Sequence, residues 1–204
     1  MCIRDRDTTA HVDLRFLLST GEVITRQKTL GAQQRLTVNP AAEGDVRLAN
    51  AAVSTVVESD LPIVSERSMY WPGETGAFGE GHNSTGVSSL ATRWGLAEGR
   101  LGGPHAFDTY ILLANPSTQA AEVTITYLFP SDATIVRRHT VPATSRFNVD
   151  VKTSLPELQG ADAAFGALIE VANAVPIAVE RSLYWNASGV FWAGGANALA
   201  TPLP

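Results

Sequence analysis

Apolar and polar residues alternate along most of this chain. Val12, Leu14, Phe16 and Leu18 are spaced by mostly polar neighbours, as are Val123, Ile125, Tyr127 and Phe129, and then Phe147, Val149 and Val151. A period of two marks a half-buried strand, because successive side chains point to opposite faces. Thr, Val and Ile dominate these runs and suit a pleated surface. Turn formers punctuate them at Ser19-Thr20-Gly21, Asn115-Pro116-Ser117, Pro130-Ser131-Asp132 and Asn173-Ala174. No long window carries an apolar face at helical spacing. The pattern predicts an all-β fold of immunoglobulin-like β-sandwiches. The Cys-Trp-Cys signature of immunoglobulins is absent, so strand order stays open.

The chain also repeats itself. Ser65-Glu66-Arg67-Ser68-Met69-Tyr70-Trp71 returns as Val179-Glu180-Arg181-Ser182-Leu183-Tyr184-Trp185, and Pro-Ile precedes each, at Pro62-Ile63 and Pro176-Ile177. Upstream, Arg35-Leu36-Thr37-Val38 matches Arg146-Phe147-Asn148-Val149, and Val12 to Leu17 matches Val123 to Leu128. A three-residue insertion in the second copy reconciles the spacings. Four segments in one order predict two tandem domains, 8–93 and 94–204. The second opens with Trp94-Gly95-Leu96-Ala97-Glu98-Gly99, for which the first has no counterpart, so the first copy is expected to be N-terminally incomplete. Each Glu-Arg-x-x-Tyr-Trp strand is expected to pair with the strand just before it, through turns at Ser59-Asp60 and Asn173-Ala174. The Gly-rich stretch from Pro72 to Gly86 is expected to link the domains or to close the first as a long loop. The opening Met1-Cys2-Ile3-Arg4-Asp5-Arg6 resembles a translated sequencing adapter of the sort found at contig ends. Residues 1–7 are therefore expected to be an artefact or a disordered tail.

Five motifs carry a resemblance: Trp94 to Gly99, Phe107 to Pro116, Pro142 to Arg146, Pro176 to Trp185 and Gly81 to Gly86. Together they resemble a repeat of large surface or secreted proteins of environmental bacteria, over nearly the whole chain after Thr9. The tail from Trp192 to Leu199 resembles the closing segment of such proteins. The resemblance implies a non-catalytic extracellular module, a structural spacer or adhesive unit beside upstream domains of the same polypeptide. It implies no cofactor and no assigned site residues.

Composition narrows the function classes. The formal net charge is -5, with no run of Lys or Arg, which argues against a nucleic-acid partner, whose binder carries a basic patch. Apolar runs are too short for a membrane helix. Cys2 is the only cysteine and lies in the adapter-like opening; without it disulfides, thiol catalysis and Cys-ligated zinc have no residue to work with. The four histidines, His11, His82, His105 and His139, show no metal-ligand spacing; His139 is expected on an exposed polar face. His82, in Gly81-His82-Asn83-Ser84, lacks a Gly-x-Ser-x-Gly elbow beside it and is expected to pin a loop. Gly76, Gly79 and Gly81 lack the Lys-Ser/Thr end of a phosphate loop, and no calcium series is present. Asn83-Ser84-Thr85 and Asn186-Ala187-Ser188 fit the glycosylation sequon only formally. Neither an enzyme activity, a cofactor nor a metal site is expected. The aromatics leave one alternative open, a carbohydrate-binding accessory module that contacts cell-surface glycans or proteins. Its candidate ligand contacts are Trp71, His82, Trp94 and Trp185; packing is the simpler role for such residues.

One strand raises a physical problem. Ile177, Val179, Arg181, Leu183 and Trp185 share a face, and four of the five are apolar. An inward Arg181 needs a carboxylate, because a lone buried charge is prohibitively costly. Glu98 and Asp108 are the candidates, Glu98 favoured for Arg181 or for Arg67 across the domain junction, with Trp185 as a candidate cation–π partner. On this reading Arg181→Ala would cost about 3–5 kcal/mol.

Overall fold

The alternating runs fold into strands, except that Phe129 lies just past one and Val151 opens a helical turn, in an all-β sandwich structure seen in a computed structural model that describes residues 2–73 and 76–204. The first half holds β1 (Cys2–Ile3), β2 (Ala10–Leu18), β3 (Val23–Leu30), β4 (Arg35–Leu36), β5 (Val53–Ser59), β6 (Val64–Gly73) and β7 (Gly76–Thr85). They form two antiparallel sheets, ordered β3-β2-β5 and β4-β1-β6-β7. The second half holds β8 (Arg93–Gly102), β9 (Asp108–Asn115), β10 (Ala121–Leu128), β11 (Thr134–Val141) and β12 (Ser145–Asp150). It continues with β13 (Asp162–Val171), β14 (Ala178–Ala187), β15 (Val190–Leu199) and β16 (Thr201–Pro202). Its sheets run β11-β10-β13-β8-β16 and β12-β9-β14-β15. Two single-turn helices, α1 (Val46–Ala49) and α2 (Val151–Ser154), precede β5 and β13. Asp45 and Asp150 cap them by accepting from the first backbone N–H groups.

The pairing registers equate the halves strand by strand. Ile3 faces Arg35 as Ala114 faces Arg146, and Glu66 faces Thr85 as Glu180 faces Leu199. Val12 faces Ser59 where Val123 faces Val171, so Val57 and Glu58 of β5 correspond to Ile169 and Glu170 of β13. The insertion thus lies partly ahead of β13 and partly in the turn after it. Among the described residues, β5 has no neighbour on its far side, whereas β13 carries β8 and then β16 there.

Each pair of sheets encloses its own core. Trp94, Ile111, Leu113, Ile125, Tyr127, Phe165, Ile169 and Val179 fill the second; Ala10, Val12, Leu14, Phe16, Ile24 and Leu30 fill the first. The effect of β8 shows in burial. Phe165, Ala167, Ile169 and Val171 of β13 are buried, but Val53, Val57 and Ser59 of β5 are half-buried and Thr55 is exposed.

Four sequence expectations are corrected here. The Glu-Arg-x-x-Tyr-Trp strands do not pair with the strands before them. β14 lies between β9 and β15, and β6 between β1 and β7, so the chain crosses to the opposite sheet at both predicted turns. The Gly-rich stretch is neither linker nor loop: Gly76–Thr85 is β7, hairpin partner of β6; Glu74 and Thr75 within it lie outside the described residues. Residues 2–4 are no free tail, since β1 takes the place that the end of β9 has in the second half. There Arg4 replaces the buried Asn115. The Asn115 amide donates to the Gln119, Val141 and Pro142 carbonyls, and the Arg4 guanidinium donates to Thr8 and to the Pro62 carbonyl. His139 is half-buried rather than exposed, sharing a face with Ile135 and Val141 and packing its ring on Phe147 at 5.5 Å.

Candidate functional site

The densest cluster of chemistry-bearing side chains lies between the halves. β6 and β7 turn one face toward the outer face of the sheet that holds β14 and β15. Trp71 lies across Gly195, where a Cβ would stand 2.8 Å from the indole ring, and meets Tyr184 edge-on at 5.2 Å. Its Nε1 donates to the Trp192 carbonyl at 2.8 Å. Tyr184 stacks on Trp192 at 4.4 Å. Glycine at 195 is needed for close approach, since any side chain would displace the indole.

Charge is built into the same contact. Arg67 Nη1 lies 3.2 Å from Glu180 Oε2, and Ser84 Oγ donates to Glu180 Oε1 at 2.7 Å. Arg146 Nη1 donates to the Val53 carbonyl at 2.7 Å. Burial lowers the Arg146 pKa, Arg67 adding to the effect and Glu180 opposing it; a guanidinium stays protonated regardless. Arg67 Nε and Nη2 and His82 Nδ1 are buried atoms without a hydrogen-bond partner. His82 Nε2 sits 3.4 Å from the Tyr184 hydroxyl. Desolvation lowers its pKa, the Arg67 charge adds to the effect, and Glu180 opposes it. The neutral form of the ring is therefore favoured where it lies against Trp71 and Tyr184.

Arg181 occupies the position of Arg67 in the second copy and is partnered differently. Its Nη1 donates to Glu98 Oε2 at 2.7 Å and to the Glu98 carbonyl at 3.3 Å. The Arg181 side chain is 6% exposed and that of Glu98 72%, so a buried cation meets a carboxylate at the rim. Asp108 lies elsewhere, 3.6 Å from Lys152 Nζ and 3.4 Å from Trp192 Nε1. Trp185 covers Gly194 and adjoins Phe107 at 6.0 Å. The cation over an aromatic face is instead Arg100, 4.7 Å above Phe107.

Of the candidate ligand contacts, Trp94 is 1% exposed in the core, its Nε1 donating to the Ala91 carbonyl. It has no face to offer a ligand. Trp71 and His82 sit in the junction and Trp185 in packing at the end of its sandwich. Exposed aromatic surface lies instead at Tyr70 and Phe78, edge-to-face at 5.6 Å, and at Phe191, stacked on Trp192. A recess bordered by Phe107, Asp108, Lys152 and Leu155 has about 60 Å³, water-sized against the roughly 300–1,000 Å³ of small-molecule sites. Ser84 is engaged with Glu180 and lies within 3.0 Å of the Thr85 carbonyl. Among the described residues no three His, Cys, Asp or Glu side chains converge as metal ligands, and no helix is long and apolar enough to cross a membrane.

Sequence reasoning missed Glu180, Arg146 and Gly195 as junction residues. Glu180 alternates with the core-facing row, so it reads as part of a solvated face. The available signal was the repeat itself, which brings back Gly81 as Gly195 and Asn83 as Asn197 inside the paired β7 and β15.

Comparison with known proteins places the chain in no established family. No family profile matches it, and no curated protein does. Among solved structures it is similar to Thermotoga maritima 1070, with TM-score 0.48 and 13% identity, covering 56% of this chain and 97% of the other. It is also similar to the Anabaena sensory rhodopsin transducer, with TM-score 0.39 and 26% identity, covering 47% and 91%.

Proposed function

We propose that the chain is a non-catalytic repeat module, a structural spacer or adhesive unit of a larger secreted or surface protein of the kind its motifs resemble. The observation that carries this reading is where the repeated residues go. Arg67, Trp71, Glu180, Tyr184 and Gly195 meet one another between the copies instead of lining a cavity. A chain used as a stalk needs stiff joints between repeats, and a junction of aromatic and ionic contacts supplies one. Two measurements test this. A broad hydrolase substrate panel should give no turnover; activity abolished by His82→Ala would overturn the proposal. Stretching a single molecule should show the two halves resisting as a coupled unit, and independent extension at low force would contradict a stiff spacer.

The second reading, a carbohydrate-binding accessory module, is favoured by the exposed Phe191 stacked on Trp192, since flat aromatic faces suit sugar rings. A glycan array decides between them: retention lost on Phe191→Ala selects this reading, and no retention removes it.

A further inference from the structure

One segment of the second half holds its backbone against its own preference. β14 and β15 pair from Glu180 opposite Leu199 to Trp185 opposite Gly194, and the register then slips, resuming at Ala187 opposite Val190. Phe191, Trp192 and Ala193 thus stand against Asn186 alone, a bulge. Within it Trp192 has a φ of 50°, a left-handed conformation that is a genuine outlier for so bulky a residue. Asn186 Oδ1 accepts from the Trp192 backbone N–H at 2.9 Å and fixes the bend. Consecutive strand residues point to opposite faces, yet the rings of Phe191 and Trp192 stack at 4.9 Å and 18°. Trp192 in turn stacks on Tyr184 at 4.4 Å and 19°. The nearly parallel rings are anchored at the junction by Tyr184 and end at Phe191, which is 66% exposed. In the first half the same register places Ala77 and Phe78 at these positions, and Phe78 meets Tyr70 edge-on at 5.6 Å instead.

Backbone outliers that their surroundings hold in place cluster at ligand clamps, and a flat aromatic face kept open to water suits the C–H face of a sugar ring. We propose that the exposed face of Phe191, backed by Trp192, binds one neutral hexopyranose ring of a polysaccharide. The sugar lays its apolar C–H face on the phenyl ring. Its neutrality follows from the charges beside the stack. Asp108 Oδ2 lies 3.4 Å from Trp192 Nε1, and Asp108 Oδ1 lies 3.6 Å from Lys152 Nζ, so carboxylate and ammonium cancel at its edge. The Lys152 side chain is 62% exposed and has N–H donors to spare for sugar hydroxyls. No cation is left over to hold a uronate. The site lies wholly within the second half and has no enclosing walls, so a dissociation constant of about 1 mM is expected. The assignment rests on the carbohydrate-binding reading above, to which it adds the contact surface and the charge of the ligand.

The test titrates the isotope-labelled full chain with cellohexaose, maltohexaose and mannohexaose, and with hexagalacturonate as the charged counterpart, following the tryptophan indole N–H signals by magnetic resonance. At least one neutral hexaose should shift the Trp192 signal and leave that of the buried Trp94 in place. Phe191→Tyr keeps a flat ring and should bind within about twofold of the parent. Phe191→Leu is apolar but not flat, and should weaken binding about tenfold, the scale of a lost central anchor. Lys152→Met should weaken it about threefold through lost hydroxyl contacts. Both positions are exposed, and an unmoved Trp94 signal in each variant checks that the core is intact. Failure of every neutral hexaose to bind at millimolar concentration would overturn the proposal. So would equal binding by Phe191→Leu, tighter binding of hexagalacturonate, or self-association of the chain that Phe191→Leu abolishes, which would make a second copy the occupant. Glycan-array retention that survives Phe191→Leu removes this site and leaves the carbohydrate-binding reading standing, whereas no retention of any glycan removes both.

Discussion

Arg67 and Arg181 stand at one position of one repeat and reach carboxylates by different routes. Arg181 is enclosed by its own sandwich and paired to Glu98 of β8, which also seals the core with Trp94. Among the described residues Arg67 has no such strand beside it, and it is paired to Glu180 of the other half. A second pair repeats the lesson: Glu170 meets Arg93 of β8, while its counterpart Glu58 meets Arg15 of β2. The face of a long strand and the charge upon it must be covered by something. In the first half the neighbouring copy, through Glu180 and Tyr184, covers the Arg67–Trp71 face. This is why β14 is buried on both faces from Arg181 to Tyr184: one face serves its own core and the other completes the first half.

The largest effect should follow from emptying the core site that β8 fills in the second half. Trp94→Ala should destabilise that half by about 3–5 kcal/mol, the usual penalty for emptying a buried aromatic site, measured by denaturant unfolding. A loss below about 1 kcal/mol, within the range of ordinary substitutions, would mean that β8 does not carry the core. The Arg181 pair comes next, and its geometry revises the sequence-based figure. Glu98→Ala strands a buried guanidinium and should cost about 2 kcal/mol, below the full buried-pair penalty because the rim is wet. Arg181→Met leaves only a carboxylate that water can take up, and should stay within about 1 kcal/mol of the parent. Equal losses from the two substitutions would contradict this asymmetry.

The pH response separates the halves more finely. The folded-state pKa values of His82 in the junction and His139 in the second sandwich are both depressed, chiefly by desolvation. Above the unfolded value of about 6.5 both rings are neutral in either state, and their contribution to stability is complete. As pH falls below it, the unfolded chain takes up protons that the folded chain refuses, so stability is lost until the folded pKa is reached. Acidification should thus weaken both regions. His82→Gln should flatten the response only where the junction is probed, and His139→Gln only in the second sandwich. Trp71 fluorescence in a chain with the other three tryptophans replaced by phenylalanine would report the junction. The smallest effect belongs to Arg93→Ala, whose half-exposed pair with Glu170 should be worth no more than about 1 kcal/mol.

Much of the sandwich was legible in the sequence, because alternation and turn residues are local signals. Val12 to Leu18 and Val123 to Phe129 announce strands by themselves. Which sheet a strand joins is not local. The turns at Ser59-Asp60 and Asn173-Ala174 look like hairpin turns, yet the chain crosses between sheets there, since β1 and β9 already occupy the inner edges of β6 and β14. Arg181 and Glu98 were legible as partners because an arginine in an apolar row demands an acid. Glu180 was not, because a polar residue in the alternate row carries no sign of whether water or another copy of the repeat will cover it.

Glu180 and Tyr184 of the second half hold the first half at the junction. Hydrogen exchange of the whole chain, compared with a Glu180→Ala, Tyr184→Ala double variant, tests it most directly, because exchange reports local opening strand by strand. Faster exchange is expected in β5, β6 and β7 of the variant, with protection of β10 and β13 in the second core unchanged. Unchanged protection of β6 and β7 would show that the first half holds its fold without the second and would contradict the account.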